Sequence, residues 1–385
     1  MTPKDMLTNT QFCPMPWTGL MYNFDGTVKN CIRSSTPLGN IQEQTIEQIL
    51  TGDTNANRQL QIQQQQPVNS CQPCKDIEQN KRGFEIISDR VFYIRELKRT
   101  DPTIYDQTGY HNLQSIDVRW TNLCNFACVY CTPIFSSRWA DELDVNIQQP
   151  DLGKFEQFKK YIFDHADNLK HVYLAGGEPL LMKQNLELLD LLLEKNPRVN
   201  LRVNTNLSKT NTQVFERICE FQNVHWTISV ESMDQEFNYI RFGGEWQDFL
   251  DNLQRIQDLG HKISFNMLWF LLNYNSVFDC VAFLRKQGFH PNSFVIGALL
   301  TPEYLNIRHL PKNVLQLLEH KLEHLISDKP GYLLEDSYRN MLYYIQQPFA
   351  KDLNSSFEKL ATMDQRRGVD SSKIFKELYK LKEGN

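Results

Sequence analysis

Three cysteines lie close together near the middle of the chain, in the sequence WTNLCNFACVYC at residues 120–131. Their spacing, C-x3-C-x2-C, places Cys124, Cys128 and Cys131 in one short loop directly after a strand-like run. A structural zinc site takes four ligands, so three thiolates would leave it one ligand short. Three thiolates can instead hold three corners of a [4Fe–4S] cube and leave its fourth iron open to another ligand. The spacing therefore favours an iron–sulfur cluster with one open iron.

The same segment resembles the signature of the radical S-adenosylmethionine (radical SAM) superfamily, because CNFACVYC has an aromatic residue just before its last cysteine. The resemblance implies that the open iron chelates the amino and carboxylate groups of S-adenosylmethionine (SAM). It also implies that an electron from the reduced cluster cleaves SAM to methionine and a 5′-deoxyadenosyl radical, which abstracts hydrogen from a substrate. The backbone of Tyr130 would then face the adenine.

Segments at the ends of other predicted strands extend this resemblance. A Gly-Gly-Glu turn resembles the superfamily's GGE motif, whose carbonyls and carboxylate accept hydrogen bonds from the SAM ammonium group. Asn204-Thr205-Asn206 resembles its ribose-side motif, and Ser229 with Arg241 resembles the pair that holds the methionine carboxylate. Alternatively, Ser229 and Arg241 form hydrogen bonds to backbone groups at the strand ends and have no role in SAM binding. The SAM contacts implied are Tyr130, Gly176, Gly177, Glu178, Thr205, Asn206, Ser229, Glu231 and Arg241; at Glu231, relatives usually have Asp.

Four more cysteines precede the central loop, at Cys13, Cys31, Cys71 and Cys74. Four thiolates can close either a zinc site or an iron–sulfur cluster. A Cys-x-x-Pro-Trp entry, an Asp-Gly hairpin, a Leu-Gly-Asn segment and the closing Cys-x-x-Cys pair resemble the twitch or SPASM auxiliary-cluster module of radical SAM enzymes. That resemblance implies a second, auxiliary [4Fe–4S] cluster, with zinc as the alternative. In most relatives the module follows the barrel, whereas here it precedes it.

Strand and helix patterns alternate between residues 112 and 300 and predict the fold class. The strand-like runs are Ser115–Trp120, His171–Ala175, Val199–Asn204, Val224–Val230, Lys262–Phe270 and Ser293–Ile296. The clearest helical patterns are Gln184–Glu194, Thr212–Glu220, Trp246–Leu259 and Val277–Gln287, and a charged stretch at Asp89–Lys98 also predicts a helix. Six such β-α alternations predict an α/β protein with a parallel sheet and right-handed crossovers. Together with the resemblance they imply a partial (β/α)6 barrel.

The chain therefore divides into four predicted regions. These are a twitch-like auxiliary iron–sulfur domain at 1–83, a helical linker at 84–111, the radical SAM partial barrel at 112–300 and a C-terminal helical region at 301–385. In the last region Ile374, Leu378 and Leu381 share one face of a predicted helix. Its TMDQRRGVDSSKIFKEL segment resembles a family of twitch-domain proteins that carry the module at the N-terminus.

Composition limits the function classes. With 41 basic and 46 acidic residues the net charge is −5, which provides no overall attraction to nucleic acid or anionic lipid. The N-terminus lacks a signal-peptide pattern, and no apolar run approaches the roughly 20 residues that span a bilayer. The sequence thus predicts a cytoplasmic protein whose clustered cysteines bind metal rather than form disulfides. Cys219 and Cys280 lie in helical patterns and are expected in the core.

The leading functional hypothesis is a radical SAM enzyme that abstracts hydrogen from a peptide or a small polar molecule. Its expected partners are that substrate and an electron donor such as flavodoxin or ferredoxin. A radical SAM enzyme acting on RNA and a non-enzymatic zinc-binding regulatory protein are the alternatives. A nucleic-acid-binding protein would need a basic face, and the overall charge indicates none. The sequence assigns no acid–base residue, since hydrogen-atom abstraction need not leave a sequence mark.

Overall fold

The computed structural model describes residues 3–79, 88–97, 100–148, 151–327, 332–350 and 352–383. The strands are β1 (Gly19–Asn23), β2 (Thr27–Lys29), β3 (Gly39–Asn40), β4 (Ser115–Arg119), β5 (His171–Leu174), β6 (Asn200–Thr205), β7 (Val224–Ser229), β8 (Lys262–Trp269) and β9 (Phe294–Ala298). The α-helices are α1 (Pro3–Thr8), α2 (Met15–Thr18), α3 (Ile46–Thr51), α4 (Asp53–Gln63), α5 (Gln72–Glu78), α6 (Asp89–Glu96), α7 (Ser137–Leu143), α8 (Leu152–Asp164), α9 (Lys183–Lys195), α10 (Gln213–Cys219), α11 (Asp234–Ile240), α12 (Trp246–Asp258), α13 (Ser276–Lys286), α14 (Lys312–Ser327), α15 (Leu333–Gln346), α16 (Leu353–Arg367), α17 (Ser371–Ile374) and α18 (Lys376–Glu383).

These strands form a single open sheet in the order β3-β2-β1-β4-β5-β6-β7-β8-β9. From β4 to β9 each strand pairs in parallel with the next one in sequence, and helices connect them. The predicted α/β class, with six parallel strands of a partial barrel and a helical C-terminal segment, is confirmed. The two edge strands are not joined, so the sheet does not close into a full barrel.

The N-terminal segment adds three strands to this sheet. β1 pairs in parallel with β4, from Gly19 opposite Ser115 to Asn23 opposite Arg119. β1 and β2 form the predicted hairpin, whose turn contains Gly26 at a φ of +83°. The N-terminal cysteine region and the barrel are therefore continuous through one sheet. The predicted boundary between residues 83 and 84 lies outside the described residues.

The two faces of the sheet differ in chemistry, because alternate residues of a strand point to opposite sides. The outer face is apolar and packs against the helices; it carries Ile116, Val118, Val172, Leu174, Leu201, Val203, Trp226 and Ile228. The inner face is polar; it carries Asp117, Arg119, Tyr173, Arg202, Asn204, His225, Thr227, Ser229, Ser264 and Asn266. Parallel strands covered on both sides are usually apolar on both. A polar inner face indicates a lumen that holds polar groups rather than a packed core.

The C-terminal region covers one edge of this sheet. Helix α15 lies along the edge strand β9, where Ser337 Oγ accepts a hydrogen bond from the backbone N–H of Ile296 at 3.1 Å. That bond caps a sheet edge that would otherwise expose unpaired backbone groups. The predicted C-terminal helix is divided in two, since α17 ends before the buried Phe375 and α18 follows it. Among the described helices, none is long and apolar enough to cross a membrane.

Helix α6 lies at the amino-terminal end of the strands. It begins after Ser88, whose side chain accepts a hydrogen bond from the N–H of Val91, and it confirms most of the predicted helix. The last predicted residue, Lys98, lies outside the described residues. Phe92 of α6 packs edge-on against His171, the first residue of β5, with ring centroids 5.4 Å apart. This end of the sheet is thus partly covered by the segment that connects the N-terminal cysteines to the barrel.

Tyr22 of β1 provides a test of the junction between the hairpin and the barrel. It is fully buried and stacks on Phe158 of α8 at 4.3 Å, yet its hydroxyl has no hydrogen-bond partner among the described residues. Tyr22→Ala should therefore lower the free energy of unfolding by about 3–5 kcal/mol. Tyr22→Phe removes only the unpaired hydroxyl and should raise it by about 1 kcal/mol. Urea unfolding measures both, and equal destabilisation by the two substitutions would show that this packing is wrong.

Candidate active site

The central cysteines lie in a loop at the carboxyl end of β4, the end at which α/β barrels place their chemistry. Cys131 raises the pKa values of Cys124 and Cys128, so the three thiols share one neighbourhood, but among the described residues no three such side chains are already placed as metal ligands. Burial, more than this proximity, governs the acidity of the thiols. Burial raises the pKa of Cys124 to about 12, and it raises the pKa values of Cys128 and Cys131 as well. The nearby Arg241 guanidinium opposes this increase in each pKa. The metal-free thiols are thus protonated at neutral pH, and iron binding must displace their protons.

The loop has no regular secondary structure, so other segments satisfy its backbone. Ala127 N and Val129 N donate hydrogen bonds to the carbonyls of Phe242 and Ile240 at 2.8 and 2.9 Å. Helix α7 contributes Trp139, whose indole N–H donates to the carbonyl of Cys128 at 2.7 Å. These bonds fix the path of the chain on both sides of the second cysteine, Cys128, from outside the loop.

The C-terminal region also contacts this loop. Arg367 at the end of α16 donates through Nη2 to the carbonyl of Ala127 at 2.8 Å. Its guanidinium lies between the rings of Trp139 and Phe242, 4.5 and 4.4 Å from their centroids, and forms an ion pair with Glu142 at 3.1 Å. Arg367 lies in the segment QRRG, which is part of the family resemblance, but the sequence pattern gave no sign of this contact.

The Gly-Gly-Glu turn supports the same loop from the neighbouring strand. Gly176 has a φ of +116°, a conformation that favours glycine. A Cβ atom on Gly177 would lie 2.3 Å from the carbonyl oxygen of Leu123. The backbone N–H of Glu178 donates to that same oxygen at 2.7 Å. Gly177 is therefore required because the turn and the residue before Cys124 are in direct backbone contact.

The carboxylate of Glu178 holds the end of the next strand. It is fully buried, and it accepts hydrogen bonds from Thr205 Oγ1 at 2.8 Å and from the backbone N–H of Asn206 at 2.7 Å. Burial raises the pKa of Glu178 to about 7, while these hydrogen bonds favour the carboxylate. Asn206 in turn lies 3.8 Å from the sulfur of Cys124 through its side-chain nitrogen. Two of the predicted SAM contacts, Glu178 and Thr205, are thus bonded to each other.

Arg241, Glu231 and Tyr130 form a second buried network beside the thiols. Nε and Nη2 of Arg241 each donate to the Glu231 carboxylate at 2.7 Å, and the Tyr130 hydroxyl donates to it at 3.0 Å. Burial acts against the Arg241 charge, but Glu231 raises the pKa of the guanidinium strongly, so the group stays charged. This bidentate pair leaves Nη1 of Arg241 as the nitrogen that Glu231 does not engage. Ser229 lies at the end of β7 on the polar inner face, partly exposed.

The four N-terminal cysteines also come together, at the opposite end of the sheet. Cys13 precedes β1 and Cys31 follows β2, whereas the central loop follows β4, so the length of β4, about 17 Å, separates the two sites. Burial raises the pKa of Cys13, and the neighbouring Cys71, Cys31 and Cys74 raise it further. The two remaining cysteines, Cys219 and Cys280, are half-buried and fully buried in α10 and α13, in agreement with the sequence.

Arg58 is a buried cation beside these four cysteines that the sequence did not single out. Its side chain is 5% exposed and donates to Asn30 Oδ1 at 2.6 Å, and among the described residues no carboxylate pairs with it. Burial lowers the pKa of Arg58, whereas nearby Cys71, Cys31 and Cys13 raise it. An isolated buried charge is costly. Arg58 therefore fits a site whose thiolates and bound group are anionic.

Comparison with known families agrees with this arrangement. Residues 118–284 match the family model of the radical SAM superfamily, and residues 13–75 match SPASM, the iron–sulfur cluster-binding domain. The chain therefore contains a segment that matches the radical SAM model, and a segment that matches the SPASM domain precedes it. The first match contains the central cysteines and all the predicted SAM contacts, and the second contains all four N-terminal cysteines.

Two curated relatives match parts of the chain. A GTP 3′,8-cyclase of Campylobacter lari is 24% identical over 257 residues, which cover 62% of this chain and 74% of the relative. A 7-carboxy-7-deazaguanine synthase of Clostridium acetobutylicum is 34% identical over 108 residues, which cover 28% of this chain and 44% of the relative. The chain thus spans three quarters of the first relative and less than half of the second.

Solved structures resemble the fold distantly. Streptococcus suis SuiB bound to S-adenosylmethionine is 16% identical, with a TM-score of 0.42, and the match covers 66% of this chain and 57% of that one. Native anSMEcpe with bound AdoMet is also 16% identical, with a TM-score of 0.40, and the match covers 54% of this chain and 58% of that one.

The two matched domains imply the cofactors: SAM with a [4Fe–4S] cluster for the radical SAM segment, and an auxiliary iron–sulfur cluster for the SPASM segment. In number and chemical type the cysteines fit both groups. One loop supplies three thiols and no fourth, as a cluster with an open iron requires, and the N-terminal set supplies four. A charged arginine lies beside each set, where it offsets the negative charge of thiolate ligands.

The contact between the Gly-Gly-Glu turn and the cysteine loop can be tested by adding one methyl group. Gly177→Ala would force the Leu123 carbonyl, and with it Cys124, out of place. The reconstituted variant should bind about four irons per chain instead of about eight, because only the auxiliary cluster forms. Gly297→Ala is the control, since a Cβ atom there meets nothing within 4 Å. Iron analysis that finds about eight irons in Gly177→Ala would contradict this role of the turn.

The charge of Arg58 should affect the auxiliary cluster through its reduction potential. A nearby cation stabilises the more negative, reduced state, so Arg58→Met should lower the midpoint potential by roughly 50–100 mV. The titration is followed by EPR in a chain whose central three cysteines are alanine, so that only the auxiliary signal remains. Arg198→Met, at an exposed position, is the control. An unchanged midpoint potential in Arg58→Met would show that Arg58 does not act on the auxiliary cluster.

Proposed function

We propose that this protein is a radical SAM enzyme that abstracts a hydrogen atom from a small polar molecule. The observation that carries the proposal is the loop at the end of β4, which carries three neighbouring thiols, one buried and two partly buried, and is supported by the Gly-Gly-Glu turn. When bound, the cluster and SAM supply the 5′-deoxyadenosyl radical. The protein's own residues bind these groups, orient them and exclude water from them.

We infer a role for most of the predicted residues. Cys124, Cys128 and Cys131 would hold three irons. The unengaged Nη1 of Arg241, with Ser229, would hold the methionine carboxylate of SAM, and the backbone of the Gly-Gly-Glu turn would accept hydrogen bonds from its ammonium. Glu178 and Thr205 act as positioning residues in this account, because they bond to each other and to the chain at Asn206.

A small-molecule substrate is supported over a peptide or RNA. The curated relatives are named for reactions of GTP and of a deazaguanine, both small molecules, though the alignments are partial. The inner face of the sheet is lined by closely spaced polar side chains, which suits a compact polar ligand. The auxiliary cluster, closed by four cysteines, would accept or donate an electron. The external reductant would be a protein such as flavodoxin or ferredoxin.

Helix α6 provides a path for electron transfer between the auxiliary cysteines and this lumen. Tyr93 packs against Cys13 and Leu97, next to the four cysteines. Burial and then the inner-face residue Asp117 raise the pKa of Tyr93, so the same side chain also lies near the lumen. One residue therefore borders both the auxiliary cysteines and the proposed substrate space.

Formation of 5′-deoxyadenosine tests the proposed function. Anaerobically reconstituted protein with SAM and dithionite should release 5′-deoxyadenosine, and replacing Cys124, Cys128 and Cys131 by alanine should abolish its release. Replacing Cys71 and Cys74 by alanine is the matched variant, which should retain this cleavage because the central loop is untouched. Wild-type protein that reconstitutes with iron yet releases no 5′-deoxyadenosine would refute the proposal.

A further inference from the structure

A cavity of about 340 Å³ opens at the amino-terminal end of β5 to β8. Its lining includes Arg202 and His225 from adjacent strands, Lys262 from the next strand, and Phe92 of α6. In the sheet register, Arg202 lies beside His225, and His225 lies beside Lys262. Three nitrogen-bearing side chains therefore form one row across the inner face, at the end of the strands away from the central cysteines.

Arg202 is held by its neighbours in a fixed orientation. Its Nε donates to Thr227 Oγ1 at 3.0 Å, and its guanidinium carbon lies 5.6 Å from the ring centroid of Tyr173 and 6.0 Å from that of Phe92. Within the described residues, neither Nη nitrogen of Arg202 takes part in a hydrogen bond or an ion pair. Both Nη groups are thus left for a ligand.

The other inner-face arginine is different. Arg119 donates two hydrogen bonds of 3.1 Å to the carboxylate of Asp117, so its charge is already compensated. Arg202 has no such acid beside it among the described residues. A guanidinium fixed in one plane is suited to carboxylate or phosphate oxygens, which it binds through two parallel N–H bonds.

The remaining charges of the cavity are consistent with an anionic ligand. Glu96 lies 3.0 Å from the ring of His171 and is engaged there. Burial, and next the Arg202 charge, lower the pKa of His225 to about 3, so its ring is neutral at physiological pH. Lys262 is exposed at the start of β8 and adds a second positive charge. Two cations face the cavity, and its single acid already has a partner.

We propose that Arg202, assisted by Lys262, binds the anionic group of the substrate, a carboxylate or a phosphate, in this cavity. This inference rests on the proposed function and names the substrate class: a small molecule with an anionic end. Along β6, Thr205 follows Arg202 by three positions and lies next to the central cysteine loop. These positions span about 10 Å. The hydrogen to be abstracted should therefore lie about that distance from the anionic group.

Calorimetric titration of the reconstituted holoprotein without SAM tests this site. Inorganic phosphate and malonate are the two probes, and the one that binds more tightly indicates whether the group is a phosphate or a carboxylate. Arg202→Gln should weaken the binding of that probe at least tenfold, because charge-assisted hydrogen bonds are lost. Arg217→Gln is the control, since Arg217 lies on the outer helix α10, paired with Asp190 and Glu220, and binding should not change.

Arg202→Gln also removes the stacking on Tyr173 and Phe92, so Arg202→Lys is the second variant. It keeps the charge, loses the two parallel N–H bonds, and should bind the probe severalfold more weakly than the wild type. If wild-type protein binds neither probe, or if both Arg202 variants bind as tightly as wild type, the inference is wrong. The measurement needs no SAM, so this failure can be told apart from absent 5′-deoxyadenosine formation, which would refute the proposed function.

Discussion

The structure depends on one constraint: the central cysteine loop is irregular and partly buried, so segments far apart in sequence must satisfy its backbone. The Gly-Gly-Glu turn donates to Leu123, the segment at Ile240–Phe242 accepts from Ala127 and Val129, and α7 and Arg367 bind the carbonyls between the cysteines. Barrel strands, barrel loops and the C-terminal helices are therefore all needed to hold three thiols in one place. This explains why the C-terminal region belongs to the site although it contributes no cysteine.

The two groups of cysteines share a second feature, a positive charge close to the thiols. Each group of cysteines has a buried arginine beside it: Arg241 at the central loop and Arg58 at the N-terminal set. Burial alone would keep the thiols protonated, and a cation favours the thiolate that binds iron. The shared sheet holds the two sites a fixed distance apart, because β1 pairs directly with β4. The polar inner face between them then provides a space that both sites border.

Sequence reasoning recovered what local patterns determine. The six barrel strands were found to within two residues of their observed ends, because apolar residues at alternate positions mark the buried face. The cysteine sets were predicted as metal ligands from their spacing, and that role stays a prediction. It missed contacts between distant residues, such as Arg367 with Ala127, which are 240 positions apart. It also missed the pairing of β1 with β4, because the residue pattern of a strand does not indicate which other strand it pairs with. Arg202 had a visible signal, a charged residue at an alternate position of NLRVNT, a strand whose other face is apolar.

The central claim is that an open iron on the central cluster binds SAM. EPR of the dithionite-reduced protein, recorded with and without SAM, tests it most directly. The spectrum of the wild type should change when SAM is added, whereas a chain without the three central cysteines should show only an auxiliary signal that SAM leaves unchanged. A wild-type spectrum that does not respond to SAM would contradict the account.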